Sequence, residues 1–128
     1  MLNTGDEVVA SLREVAARER LSAAQVSAIG ALSDAVLGYF DWEAKRYERI
    51  PVREQVEVVS MLGDIGLDER DEPALHLHLV LGRRDGSAMG GHLLEARVRP
   101  TLEAVLVGSP AHLSRRKDPA TGLSLIRL

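Results

Sequence analysis

From Leu75 to Leu81 every second residue is leucine, and the positions between hold His76, His78 and Val80. Successive side chains of a strand point to opposite faces, so this alternation predicts a strand with a leucine face and a histidine face. The leucine face has to pack on a core, which leaves the histidines facing a cleft or an interface. Arg83-Arg84-Asp85-Gly86 follows at once and carries the Asp-Gly signal of a tight hairpin. The chain is therefore expected to return antiparallel over Ala88 to Val98, a strand broken at Gly90-Gly91, and to bring His92 beside His76 and His78.

Same-face neighbours on one strand lie about 6.5–7 Å apart, close enough for two imidazoles to converge on one ion at about 2.0–2.1 Å. With His92 arriving from the next strand, three nitrogen ligands and an open position make the catalytic-zinc pattern. The same residues would serve equally as hydrogen-bonded side chains in a polar surface between subunits, and the spacing does not decide between the two. Glu57, on a strand expected over Val56 to Leu62 and closed by Gly63 and Gly66, is the candidate acidic partner. It would act as ligand or general base if it faced the histidines, and is otherwise an exposed carboxylate. Glu95 and Glu103 have weaker claims, and His112 falls in a loop. Ser60 has no histidine–acid pair at triad spacing. Neither Gly90-Gly91 nor Gly63-Asp64-Ile65-Gly66 has the form of a phosphate-binding loop.

The rest of the chain predicts an α+β fold, a mostly antiparallel β-sheet packed with one main N-terminal helix. Thr4 and Glu7 have capping-box spacing, and Val8, Leu12, Val15 and Ala16 share a helical face, so a helix is expected over Thr4 to Arg20. Leu21 to Ala28 fits helix and strand alike. Strands are expected over Val36 to Phe40, Arg46 to Ile50 (an edge ended by Pro51), Thr101 to Val107 and Leu123 to Leu128, with Asp68 to Pro73 a charged turn and Ser109 to Thr121 a polar connection. At 128 residues with no internal repeat and no linker, the chain is expected to form a single domain over 1–128. Aromatic residues are only 3%, so the core must come from aliphatic side chains. Cysteine is absent, which removes disulfides, thiolate metal sites and cysteine nucleophiles. No apolar run is long enough to cross a membrane, and the start has no signal-peptide pattern, so a cytoplasmic location is expected.

Charge argues against tight DNA binding. Residues 112–128 hold four basic residues against one acid, a net +3, while the other 111 residues hold 12 basic and 18 acidic side chains, a net −6. Affinity for duplex DNA rests on neutralising phosphates with Lys and Arg, so most of this surface repels a duplex and the basic end reads as a solvated tail.

Several segments, in order, resemble one known family. They are Gly5-Asp6-Glu7-Val8, Ala28-Ile29-Gly30-Ala31-Leu32, Leu37-Gly38-Tyr39-Phe40-Asp41, the run Glu57 to Ile65, Leu75-His76-Leu77-His78, and Gly90-Gly91-His92-Leu93 leading to Thr101-Leu102-Glu103. Over about residues 5–107 the chain is similar to the plant and prokaryote conserved (PPC) domain family. The resemblance implies an α+β domain assembled as a homotrimer, with DNA as a partner suggested by plant relatives that carry an AT-hook. It also implies a fold similar to that of acetolactate decarboxylase, a zinc enzyme whose metal is held by histidines, and places such a Zn²⁺ at His76, His78 and His92. Two features depart from the family pattern: only Met1 to Thr4 precede the helix, where the family usually has a strand, and no Arg-Gly-Arg-Pro hook core is present.

The reading that emerges is a DNA-binding or regulatory oligomeric module with a three-histidine site for a divalent metal or small ligand. Its alternative is a zinc-dependent, decarboxylase-like enzyme acting on a small carbonyl or carboxylate substrate.

Overall fold

The computed structural model describes residues 1–127; Leu128, the last residue of the strand expected over Leu123 to Leu128, lies outside the described residues. In chain order the elements are β1 (Leu2–Asn3), α1 (Val8–Arg18), β2 (Ala24–Asp41), β3 (Arg46–Val52), β4 (Val56–Leu67), β5 (Pro73–Gly82), β6 (Ala88–Gly108), β7 (Ser114–Lys117) and β8 (Ser124–Arg127). The fold is α+β and largely antiparallel, as the sequence predicts. No helix is long and apolar enough to cross a membrane among the described residues.

The strands run in the order β3-β2-β6-β5-β4-β7-β8, and β2 also pairs with β4. Ala24 to Ala28 of β2 bond to β4 (Ile65 to Met61) along one edge and to β6 (Gly108 to Ala104) along the other. The path β2-β6-β5-β4 thus closes on itself. Closure was not legible in the linear pattern, because it depends on one strand being long enough to pair with three partners. Three of the four leucines behave as expected: Leu77, Leu79 and Leu81 are buried with Leu12 and Val8 of α1, Leu32 of β2 and Met61 of β4, while Leu75 is half-buried against the same core. Helix α1 lies against β5 and β6.

Several expected boundaries shift, each for a physical reason. The helix begins at Val8 rather than Thr4. Glu7 is its N-cap, its carboxylate accepting from the Ala10 N–H at 2.7 Å and from the Ala96 N–H at 3.2 Å. Thr4 is drawn away, its hydroxyl donating to the Pro100 carbonyl, so the capping box does not form. Residues before the helix do supply a strand: Leu2 and Asn3 pair with Leu102 and Thr101. Leu21 to Ala28 resolves as strand from Ala24. Glycine and proline interrupt fewer strands than expected. Gly63 and Gly66 lie inside β4, Pro51 inside the edge strand β3, and Gly90, Gly91 and Pro100 inside a continuous β6. Pro100 falls where the β2–β6 register skips, with Gly30 opposite Leu102 and Leu32 opposite Val98, so its missing N–H costs no ladder bond. The polar connection after Gly108 contains β7, which with β8 forms a hairpin across Asp118 to Gly122.

Gly30 is the pivot of β2. The register shifts at this residue against both β4 and β6, and its φ is +148°. A Cβ placed there would collide with the Thr101 carbonyl oxygen. Gly30→Ala is therefore expected to lower unfolding stability by about 2–4 kcal/mol in urea titration, combining strained backbone with overpacking. Gly108→Ala, where an added Cβ meets only Leu21 at 3.9 Å, should change it by less than about 0.5 kcal/mol.

Candidate metal centre

The hairpin places the histidines in register. His78 of β5 pairs directly with His92 of β6, and His76 is the next residue of the same β5 face. The three rings form a near-equilateral triangle, with centroids 5.0 Å apart for His76–His78 and 5.2 Å for each of the other two pairs. Each residue offers one nitrogen such that all three lie within 4.8 Å of one another. The Nε2 atoms of His76 and His78 are 3.1 Å apart. Two ligands of a tetrahedral zinc, at about 2.0–2.1 Å from the ion, are separated by about 3.3–3.4 Å. The donor set thus fits a divalent ion with little rearrangement. The Nδ1 of His92 is shut off from solvent and has no hydrogen-bond partner among the described residues. A buried nitrogen without a partner is unusual in a folded protein and calls for an explanation such as an ion.

The surroundings of His76 and His92 favour the neutral imidazole, the form that can bind a metal. Burial, reinforced by His76, His78 and Arg115, pushes His92 down to about 4. Burial is also the largest cause lowering His76, with Arg115 and His78 adding to it and Asp64 opposing. Tyr47 of β3 stacks on the His92 ring at 4.5 Å and 17° and meets Phe40 edge-on. It reaches over β2 because Gly38, the partner of His92, has no side chain: a Cβ there would lie 2.8 Å from the Tyr47 ring. Arg115 of β7, only 4% exposed, bonds through Nη2 to Asp64 at 2.6 Å and through Nη1 to the Ser124 carbonyl at 2.8 Å. Asp64 is itself the β4 partner of His76.

The structure brings His76, His78 and His92 together and leaves the other candidates out. Glu57 pairs with Gly82 on β5 and Ala31 on β2, five residues along β4 from Leu62, the partner of His78. That separation is about 16 Å of strand, so Glu57 is neither a ligand nor a base for this centre. Glu95 is exposed and paired with Arg49 at the β3 edge. Glu103 sits opposite Ile29, and His112 bonds through Nδ1 to the Ser22 hydroxyl at 2.7 Å. Sequence reasoning missed Arg115, Tyr47 and Asp64. The turn residues Asp118 and Gly122 were the available sign that the basic end folds back as a hairpin. Nothing in the sequence announces the partnership of Arg115 with Asp64, 51 positions earlier.

A small α+β domain with a closed antiparallel sheet and three imidazoles on one hairpin is the class defined by these observations. The chain belongs to the Plants and Prokaryotes Conserved (PCC) domain family, whose model matches residues 1–109. Among solved structures it is similar to a metal-containing protein from Archaeoglobus fulgidus, at 35% identity and TM-score 0.90, covering 99% of this chain and 89% of that one. It is similar to a plant- and prokaryote-conserved protein from Pyrococcus horikoshii, at 30% identity and TM-score 0.92, covering 99% and 87%. A candidate DNA-binding protein from Ralstonia eutropha matches at 30% identity and TM-score 0.91, covering 99% and 88%. Among curated proteins, the bifunctional protein GlmU of a Synechococcus strain is 33% identical over 121 residues, 92% of this chain but only 18% of that protein's length.

The lowered titration of His92 sets a pH dependence for the metal-free chain. In the unfolded chain His92 titrates near 6.5, in the folded chain near 4. Below about pH 6.5 the unfolded state takes up a proton that the folded site refuses, so its contribution is complete above that pH and is lost as pH falls towards 4. Urea midpoints measured in EDTA should therefore drop between pH 7 and pH 5, and less steeply in His92→Gln. Equal pH dependence in the two proteins would contradict this.

Proposed function

We propose that the chain is an oligomeric module of its family carrying a divalent-metal site on His76, His78 and His92, with zinc as its ion. The single observation that carries this is the convergence of three imidazole nitrogens within 4.8 Å. The partnerless, buried His92 Nδ1 and the metal-containing Archaeoglobus relative support it. Three imidazole nitrogen donors without thiolate or carboxylate suit zinc and its first-row neighbours rather than magnesium or calcium. The ion would be held by the β5–β6 hairpin, with an open position for water or a ligand, and would act there as a Lewis acid.

The proposed assembly is a homotrimer. The support is an apolar outer surface: Ile29, Val59, Leu62, Val80, Val105 and Val107 are all exposed large hydrophobics. Contiguous apolar surface is rarely left open on a soluble monomer. Of the residues the sequence suggested for that face, Val80 is exposed and Leu94 half-buried, whereas Val58 belongs to the core. The register shift between Val58 and Ser60 turns Val59 outwards in its place. Untagged protein sized by light scattering should give three times the 13.9 kDa chain mass. Elemental analysis of it should find about one zinc per chain, and His78→Ala should lower this at least tenfold. Unchanged metal content in His78→Ala would sink the site.

DNA is the partner that the Ralstonia relative brings to mind, and we propose that this chain binds it only weakly. The basic end is less available than its charge implies. Arg115 is buried against Asp64, and Arg127 pairs with Asp118 at 3.2 Å, which leaves Arg116 and Lys117. Two phosphate contacts give a slope of log affinity on log salt of about −2. Titration with labelled AT-rich and GC-rich duplexes at about 150 mM salt should show no sequence preference and dissociation constants weaker than about 10⁻⁶ M. A sequence-specific complex tighter than about 10⁻⁷ M would refute it.

A further inference from the structure

The concave surface beside the histidines is closed by an element beyond the family-matched residues 1–109, the β7–β8 hairpin. The pocket has a volume of about 240 Å³, and its lining includes His76, His92, Tyr47, Arg115, Leu123 and Leu125. Sites for drug-sized ligands occupy about 300–1,000 Å³, so this one suits a smaller molecule. No acidic side chain lines it among the described residues. Among the described residues its one permanently charged lining group is Arg115, bonded to Asp64 and to the Ser124 carbonyl, and the Nε of that guanidinium has no partner among them. A buried donor left without an acceptor costs about 1–3 kcal/mol, which a bound oxygen ligand would relieve. Tyr47, Ala74, Leu75 and the segment 122–125 complete the lining.

We infer that this pocket is a binding site for a small monocarboxylate with a compact apolar body, its carboxylate drawn to the Arg115 guanidinium beside the histidine centre and its body packed on Leu123 and Leu125. Guanidinium–carboxylate pairs are among the stronger polar contacts in proteins, and a fixed, pre-paid arginine geometry loses little entropy on binding. The inference deepens the proposed metal centre by naming the class of its ligand, but its anchor is Arg115 and not the ion.

The test uses isovalerate and its neutral analogue isovaleramide as probes on the full chain, both zinc-loaded and EDTA-stripped. The solvent-shielded Arg115 Nε–H serves as an NMR reporter, alongside calorimetry. Isovalerate is expected to move that signal saturably and to bind at least tenfold more tightly than isovaleramide. Leu125→Trp, which adds bulk at the pocket wall and leaves Arg115 itself unsubstituted, should weaken isovalerate at least tenfold. A carboxylate preference below threefold, or full binding in Leu125→Trp, would overturn the inference. Carboxylate binding that persists in EDTA, in protein that never held zinc, would support the pocket and sink only the metal reading. One zinc per chain with no response to isovalerate in either form would sink only the pocket.

Discussion

Strand β2 is hydrogen-bonded to three neighbours, and the position of every functional side chain follows from that. Its first half is held between β4 and β6, its second between β3 and β6. Because β4 and β6 are each fixed to β2, the strand between them, β5, has one available place and one available orientation. Burying Leu77, Leu79 and Leu81 in the core beneath α1 then sends the imidazoles outwards. A one-residue slip of β5 would put His76 and His78 into an aliphatic core without acceptors and bring the leucines to the surface, so the register is enforced by burial on one face and polarity on the other.

The site is assembled from parts that differ in how far apart they lie in sequence. The β5–β6 hairpin is local and supplies all three histidines. Tyr47 comes from an edge strand and fixes the ring of His92. The β7–β8 hairpin brings Arg115 and its bond to Asp64, the residue that pairs with His76. Removing one member of such a buried pair leaves an uncompensated charge. Arg115 and Asp64 therefore support the wall of the pocket as well as its electrostatics. His112 shows the contrast: it is tied to the Ser22 hydroxyl and takes no part in the cluster.

How much of this the sequence revealed depended on the range of the interaction. The leucine alternation and the Asp85-Gly86 turn are local, and they were enough to predict the β5–β6 hairpin and the meeting of His76, His78 and His92. The helix was found, but its cap was misread, since Thr4 bonds to the chain near Pro100 and Glu7 takes over the capping role. Glycines read as strand breaks were instead places of close approach: at Gly63, a Cβ would strike the His76 carbonyl. Glu57 had the right chemistry on the correct strand, but the β4–β5 register carries it to the far end of the sheet. The basic end looked solvated because the turn signal of Asp118 and Gly122 went unread and because Arg115 pairs with a residue 51 positions away, beyond the reach of any local pattern.

The three-imidazole donor set has a chemical consequence in an oxidising cell. A zinc site built on thiolates is opened by peroxide, because the sulfur itself climbs from sulfenic to sulfinic acid and lets the ion go. Here the candidate donors are nitrogen, and the whole chain is without cysteine. Peroxide at levels that empty a cysteine zinc finger has no sulfur ligand to attack at His76, His78 and His92. Acid, which protonates imidazole, is the chemical insult to which such a cluster answers.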